Sequence, residues 1–78
     1  MSFDNSKTFN GIDASLVVTG GIYEGLAGQR RRIISIVDDI VTFEVIAVGK
    51  RLQPEMTLGG VFTRPLKNFA QWAASVVQ

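Results

Sequence analysis

Arg32-Ile33-Ile34-Ser35-Ile36-Val37-Asp38-Asp39-Ile40-Val41-Thr42-Phe43-Glu44-Val45-Ile46-Ala47-Val48 is the stretch whose reading decides the fold. Two runs rich in β-branched residues flank a pair of turn-forming acids, the pattern of a β-hairpin. With Asp38-Asp39 as a two-residue loop, Val37 lies opposite Ile40, Ile36 opposite Val41, and Ile34 opposite Phe43. Side chains alternate across a strand, so Ile34, Ile36, Val41, Phe43 and Val45 are expected to share the core face. The opposite face then carries Ile33, Ser35, Val37, Ile40, Thr42, Glu44 and Ile46. A solvated face is mainly polar, and this one is half aliphatic. Another element of the chain or a second subunit is therefore expected to cover it.

Upstream of the hairpin, Gly21-Ile22-Tyr23-Glu24-Gly25 reads as a short extended piece, followed by a loop at Gly25-Leu26-Ala27-Gly28. Ile12 to Val18 fits either a first strand or a short helix capped by Asp13. The β-branched run Val17-Val18-Thr19 favours the strand, with Gly20-Gly21 as its break. Residues 1–10 are polar apart from Phe3 and Phe9 and are expected to form a flexible arm, leaving 11–78 as a single small domain.

Downstream, Gly49 to Met56 is a polar connection, and Val61-Phe62-Thr63 is a further short strand after Gly59-Gly60. Pro65 suits the first turn of a helix, with Thr63 as its N-cap. Apolar residues then recur at Leu66, Phe69, Ala70, Ala73, Val76 and Val77, which predicts an amphipathic helix running to the C-terminus. The expected fold is mainly β: a small SH3-like barrel, or a strongly bent antiparallel sheet of four to five strands, with a C-terminal helix.

Composition narrows the function. The chain has 78 residues, with neither cysteine nor histidine. A disulfide, a thiolate nucleophile, a Cys-ligated zinc and the commonest general base at neutral pH are all removed. No metal site and no cofactor are expected. A domain this small sits near the limit at which one core suffices, and oligomerisation is the remaining route to extra stability. No apolar run reaches the roughly 18–20 residues that a membrane span needs. Residues 1–10 lack the basic start and apolar stretch of a signal peptide, so a cytoplasmic location is the expectation. Eight basic against seven acidic residues give a net charge of +1, without the basic excess usual in nucleic-acid-binding domains.

The stretch from Gly20 to Ala73 resembles a type of small protein from bacterial and prophage genomes. The features that carry the likeness are the glycine-flanked strand Gly20–Gly25, Arg32–Ile36, the acidic turn Asp38-Asp39, Val41–Glu44, and the closing Phe69-Ala70-Gln71-Trp72-Ala73. The resemblance implies an SH3-like fold and brings no catalytic residues with it. A second likeness, to the plasmid-encoded type II dihydrofolate reductases, is one of fold alone. Their pore segment Val-Gln-Ile-Tyr would correspond to Val61-Phe62-Thr63-Arg64, which has neither the glutamine nor the tyrosine.

Three candidate surfaces follow. Ile33, Val37, Ile40, Thr42, Glu44 and Ile46 form the expected interface of a non-catalytic protein that self-associates or binds another protein, with the C-terminal helix as a further contact. The alternative is a nucleic-acid-binding module using Arg30, Arg31, Arg32, Lys50 and Arg51. In that reading Arg30 and Arg32 share one face of a strand and Arg31 projects from the other. The same run also reads as a solvated strand end whose charges discourage aggregation. Tyr23, Phe62 and Trp72 are candidates for an aromatic platform, against the plainer reading that Phe62 is core and Trp72 anchors the helix. Asp38-Asp39 is explained by turn chemistry, and Glu44, mid-strand on the outer face, suits pairing with a basic residue across an interface, so no carboxylate is read as catalytic.

Overall fold

The computed structural model describes residues 11–49 and 57–78. Its strands are β1 (Ile22–Gly25), β2 (Arg30–Val37), β3 (Ile40–Ala47), β4 (Val61–Pro65) and β5 (Ala73–Val76), with one α-helix, α1 (Leu66–Trp72), between the last two. They form a single antiparallel sheet in the order β4-β3-β2-β1-β5. The fold is mainly β, an unclosed bent sheet with one short helix near the C-terminus. The arm expected over residues 1–10 lies outside the described residues, as does most of the polar connection after Gly49.

The hairpin forms at the expected turn. Asp38 and Asp39 adopt φ of 51° and 62°, the left-handed pair of a two-residue type I′ loop, whose twist matches that of the flanking strands. Val37 pairs with Ile40 and Ile36 with Val41, as the two-residue loop dictates. Beyond Ser35 the register departs from strict alternation. Ser35 pairs with Thr42 but Ile33 pairs with Phe43, so Ile34 is the extra residue of a β-bulge. The bulge corrects two assignments at once. Ile33, expected on the outer face, is 1% exposed in the core, while Ile34, expected in the core, is 45% exposed. One inserted residue reverses the facing of everything upstream of it.

A second bulge follows at Ile46, between the pairs Arg31–Val45 and Arg30–Ala47. A third shift lies between β1 and β5. These irregularities are the sites at which the sheet bends around its core.

Three further expectations are overturned. Ile12–Val18 is not a strand: Ala14–Leu16 forms a single 3-10 turn, with the Asp13 carboxylate accepting the Ser15 N–H at 2.9 Å. Local side-chain capping prevails over the β-preference of the valines. The helix also ends early. Ala73 turns extended, with φ −69° and ψ 133°, and β5 pairs with β1 through Tyr23–Val76, Glu24–Ser75 and Gly25–Ala73. The open edge of β1 offers hydrogen bonds to the β-branched Val76, and this tertiary pairing outweighs the weak helical preference of Ala-Ala-Ser. Thr63 lies within β4 rather than at the N-cap; Pro65 occupies that position without a side-chain bond. The orphan N–H of Leu66 is instead satisfied by the Asp39 carbonyl at 2.7 Å, which ties the helix start to the hairpin turn.

The core lies between the concave face of the sheet and α1. Tyr23, Ile33, Val41, Phe43 and Val45 enter it from the strands, and Phe69 from the helix. Tyr23 and Phe69 meet edge to face, with centroids 5.6 Å apart. The Tyr23 hydroxyl donates to the Leu16 carbonyl at 2.7 Å and accepts the Val18 N–H at 2.8 Å, so the segment before β1 is pinned to the core by one phenol. Tyr23→Phe is expected to cost about 1–2 kcal/mol, since it leaves both backbone groups unsatisfied. A urea titration followed by circular dichroism measures this. An unchanged midpoint would show that water replaces the hydroxyl without loss.

Candidate protein-interaction surface

Strand register places the outer side chains in rows across the sheet. Nearest the hairpin turn, Pro65, Ile40 and Val37 lie side by side. The next row is Thr63, Thr42 and Ser35, with Ile34 added by the bulge. Below it run Val61, Glu44, Arg32 and Ile22, and then Ala47, Arg30, Glu24 and Ser75. Val37 is 63% exposed, Ile40 43% and Val61 55%. The hairpin end of the outer face is therefore aliphatic at Val37 and Ile40, Val61 stands in the row of Glu44 and Arg32, and the far end carries charges of both signs.

Of the six residues expected at an interface, Val37 and Ile40 are exposed on this face, and Thr42 and Glu44 are half-buried there. Ile46 is half-buried at the second bulge, and Ile33 belongs to the core. Ile34, Val61 and Pro65 are additions that the sequence reading missed. Alternation within Val61–Pro65 would have found two of them, because Val61, Thr63 and Pro65 must share a face. No comparable signal marks Ile34, whose side depends on the bulge.

The free edge of β4 is partly blocked against strand pairing at its Pro65 end. Leu66 N–H and Gly60 C=O both point toward β3, so by alternation the Thr63 carbonyl and the Pro65 nitrogen face outward. Pro65 has no N–H to offer, and the Arg64 guanidinium already donates to the Thr63 carbonyl at 2.7 Å. The opposite edge, β5, is four residues long. The broad outer face is thus a better contact surface than either edge.

The arginine run divides as alternation requires, with Arg30 and Arg32 exposed and Arg31 4% exposed on the core side. Arg30 Nε is 2.8 Å from Glu24 Oε1. The Arg31 guanidinium lies 3.8 Å over the Trp72 ring and 4.5 Å over Phe43, and its Nε donates to Gln29 Oε1. Burial, and then the neighbouring positive charge of Arg64, lower the Arg31 pKa to about 10, which still leaves it charged at neutral pH. Arg31 is thus an interior cation held by aromatic faces. Of the basic cluster, Lys50 and Arg51 lie outside the described residues.

The three aromatic candidates do not assemble into a platform. Tyr23 is fully buried. Phe62 is half-buried against Phe43 at 6.1 Å, and Trp72 is half-buried against Phe69 and Arg31. Among the described residues no three acidic side chains gather as a metal would require, and no helix is long and apolar enough to cross a membrane. Compared with protein-family models, curated proteins and solved structures, the chain matches none.

Proposed function

We propose that this chain is a non-catalytic, self-associating interaction module, an SH3-like bent sheet that binds a second copy of itself through its outer face. The observation that carries the reading is the exposed aliphatic group Ile34, Val37, Ile40 and Val61, on a face that no described element of the chain covers. The strand order, with β5 returning to β1 after a short helix, supports the SH3-like relationship.

A second copy is the fitting occupant because the face carries Glu24 and Glu44 as well as Arg30 and Arg32, and the chain's net charge is only +1. Two such faces meet without strong repulsion. Strands β4 to β1 span about 19 Å, and five residues along them about 17 Å. A patch of that size, about 320 Å² per copy in flat projection, falls below the roughly 1,000 Å² in total that a stable interface buries, which fits only a weak dimer that forms at high concentration and dissociates on dilution. A nucleic-acid reading draws less support, because Arg31 is interior and Arg30 is engaged by Glu24.

Sedimentation velocity over a dilution series tests the proposal. The expected result is a dimer at high concentration that gives way to monomer, with Ile40→Lys monomeric throughout and still folded. A folded wild-type monomer at every concentration would sink the reading. Unfolding by Ile40→Lys would do the same, since it would place that face inside the molecule.

A further inference from the structure

Resting on the self-association proposed above, we propose that the two copies stack face to face with their hairpin turns at the same end. The two-fold axis lies in the interface and runs along the strands, midway between β2 and β3. Strand β2 of each copy then lies over β3 of the other, so Arg32 meets the partner's Glu44 and Val37 meets the partner's Ile40.

The rows of the outer face are complementary to their own reverse. An isologous contact maps the patch onto itself, and an axis along the strands lays each row on the same row of the other copy in reversed order. In the row Val61, Glu44, Arg32, Ile22, reversal sets Glu44 on the partner's Arg32 and Arg32 on the partner's Glu44. Val61 and Ile22 meet at the two ends. In the rows nearer the turn, Ile40 falls on the partner's Val37 and Thr42 on the partner's Ser35. One operation therefore matches charge with countercharge, hydroxyl with hydroxyl and aliphatic with aliphatic. Arg32 is exposed and Glu44 half-buried, and although they are neighbours in the register, among the described residues no ion pair joins the two. Each is positioned to take its countercharge from the opposite copy.

Axes placed elsewhere lose the match. Crossing the strands at Ser35 and Thr42, an axis would set Val37 and Ile40 on the partner's Arg32 and Glu44. Crossing them at Val37 and Ile40, it would leave Arg32 and Glu44 beyond the end of the partner's sheet. Crossing them at Arg32 and Glu44, or running along β2 or β3 itself, it would stack like charges on each other. Packed sheets keep their strand directions within about 30° of each other, which the axis between β2 and β3 satisfies. Its one opposing contribution is the meeting of the two Asp38-Asp39 turns. They lie about 10 Å apart across the stacked sheets, beyond the screening length of about 8 Å at physiological salt, so their repulsion is small.

Charge exchange in the full-length chain tests the stacking. Arg32→Glu and Glu44→Arg, each alone, are expected to dimerise roughly tenfold more weakly in sedimentation velocity, because the symmetry turns both ion pairs into like-charge contacts. The double variant Arg32→Glu/Glu44→Arg keeps the wild-type net charge and is expected to dimerise as the wild type does. Circular dichroism checks that each variant is folded. The chain has no cysteine of its own, so introduced thiols read the row match independently. Oxidation at a concentration where the wild type sediments as a dimer should link Val37→Cys to Ile40→Cys when the two are mixed, and should not link Val37→Cys to Arg32→Cys. A folded double variant as weak as the single ones overturns the charge pairing. A link between the positions of Val37 and Arg32 overturns the axis along the strands. Both results leave self-association intact, whereas a wild type that never dimerises overturns self-association and this inference together.

Discussion

Phe69→Ala is expected to lower stability by about 3–5 kcal/mol, enough to leave a large fraction of the chain unfolded at ambient temperature. Phe69 is the point at which the core converges. Its ring centroid lies 5.6 Å from that of Tyr23, 5.3 Å from Phe43 and 5.2 Å from Trp72, and the Arg31 guanidinium is 5.8 Å away. Truncation opens a cavity bounded by β1, β3 and α1, and the bulged sheet has little freedom to collapse into it. A domain of this length holds on the order of 4–10 kcal/mol in total, so one side chain accounts for much of the margin. Phe62 is a control within the same cluster. It is half-buried at the edge strand, and Phe62→Ala is expected to cost about 1–2 kcal/mol, by the smaller apolar area it hides. Guanidinium titrations monitored by circular dichroism compare the two. Equal losses would show that Phe69 is no more central than its edge-strand neighbour.

The hairpin was legible because its information is local. Asp38-Asp39 pins the register at the turn, so Val37, Ile40 and Val41 take the faces that counting from the turn assigns them. Counting fails at the first irregularity. Ile33 and Ile34 are the same residue type in adjacent positions, and nothing in their side chains says which of the two a bulge will turn inward. The Ile33 error follows from that alone.

The helix end was illegible for a different reason. Leu66 to Val77 carries a real helical periodicity, but the edge of β1 competes for Ala73–Val76, and sequence reasoning cannot weigh a partner more than forty residues upstream. Arg31 is the third case. Its position in an arginine triplet suggests surface charge, and only the aromatic faces of Trp72 and Phe43 make an interior cation tolerable. The parts of the outer face nearest the turn were therefore readable, and the parts beyond the bulges were not.

Gly25 and Gly20 separate two physical reasons for a glycine, and Trp72, the only tryptophan of the chain, reports on one of them. A Cβ built on Gly25 would lie 2.7 Å from both Cε2 and Nε1 of the Trp72 indole. The ring has no easy retreat, since its other contacts are Phe69 and the Arg31 guanidinium. Gly25→Ala is therefore expected to cost about 2–3 kcal/mol through overpacking. It should also shift the tryptophan emission to longer wavelength as the indole is pushed toward water. Gly20 has φ +85° and nothing within 4 Å of a built Cβ. There the cost is backbone strain alone, about 1 kcal/mol, and the emission should not move. The pair is decisive because the two variants add the same methyl group. If Gly25→Ala destabilised no more than Gly20→Ala and left the emission in place, the indole would not be stacked on β1, and Arg31 would lose the aromatic cover that makes its burial tolerable.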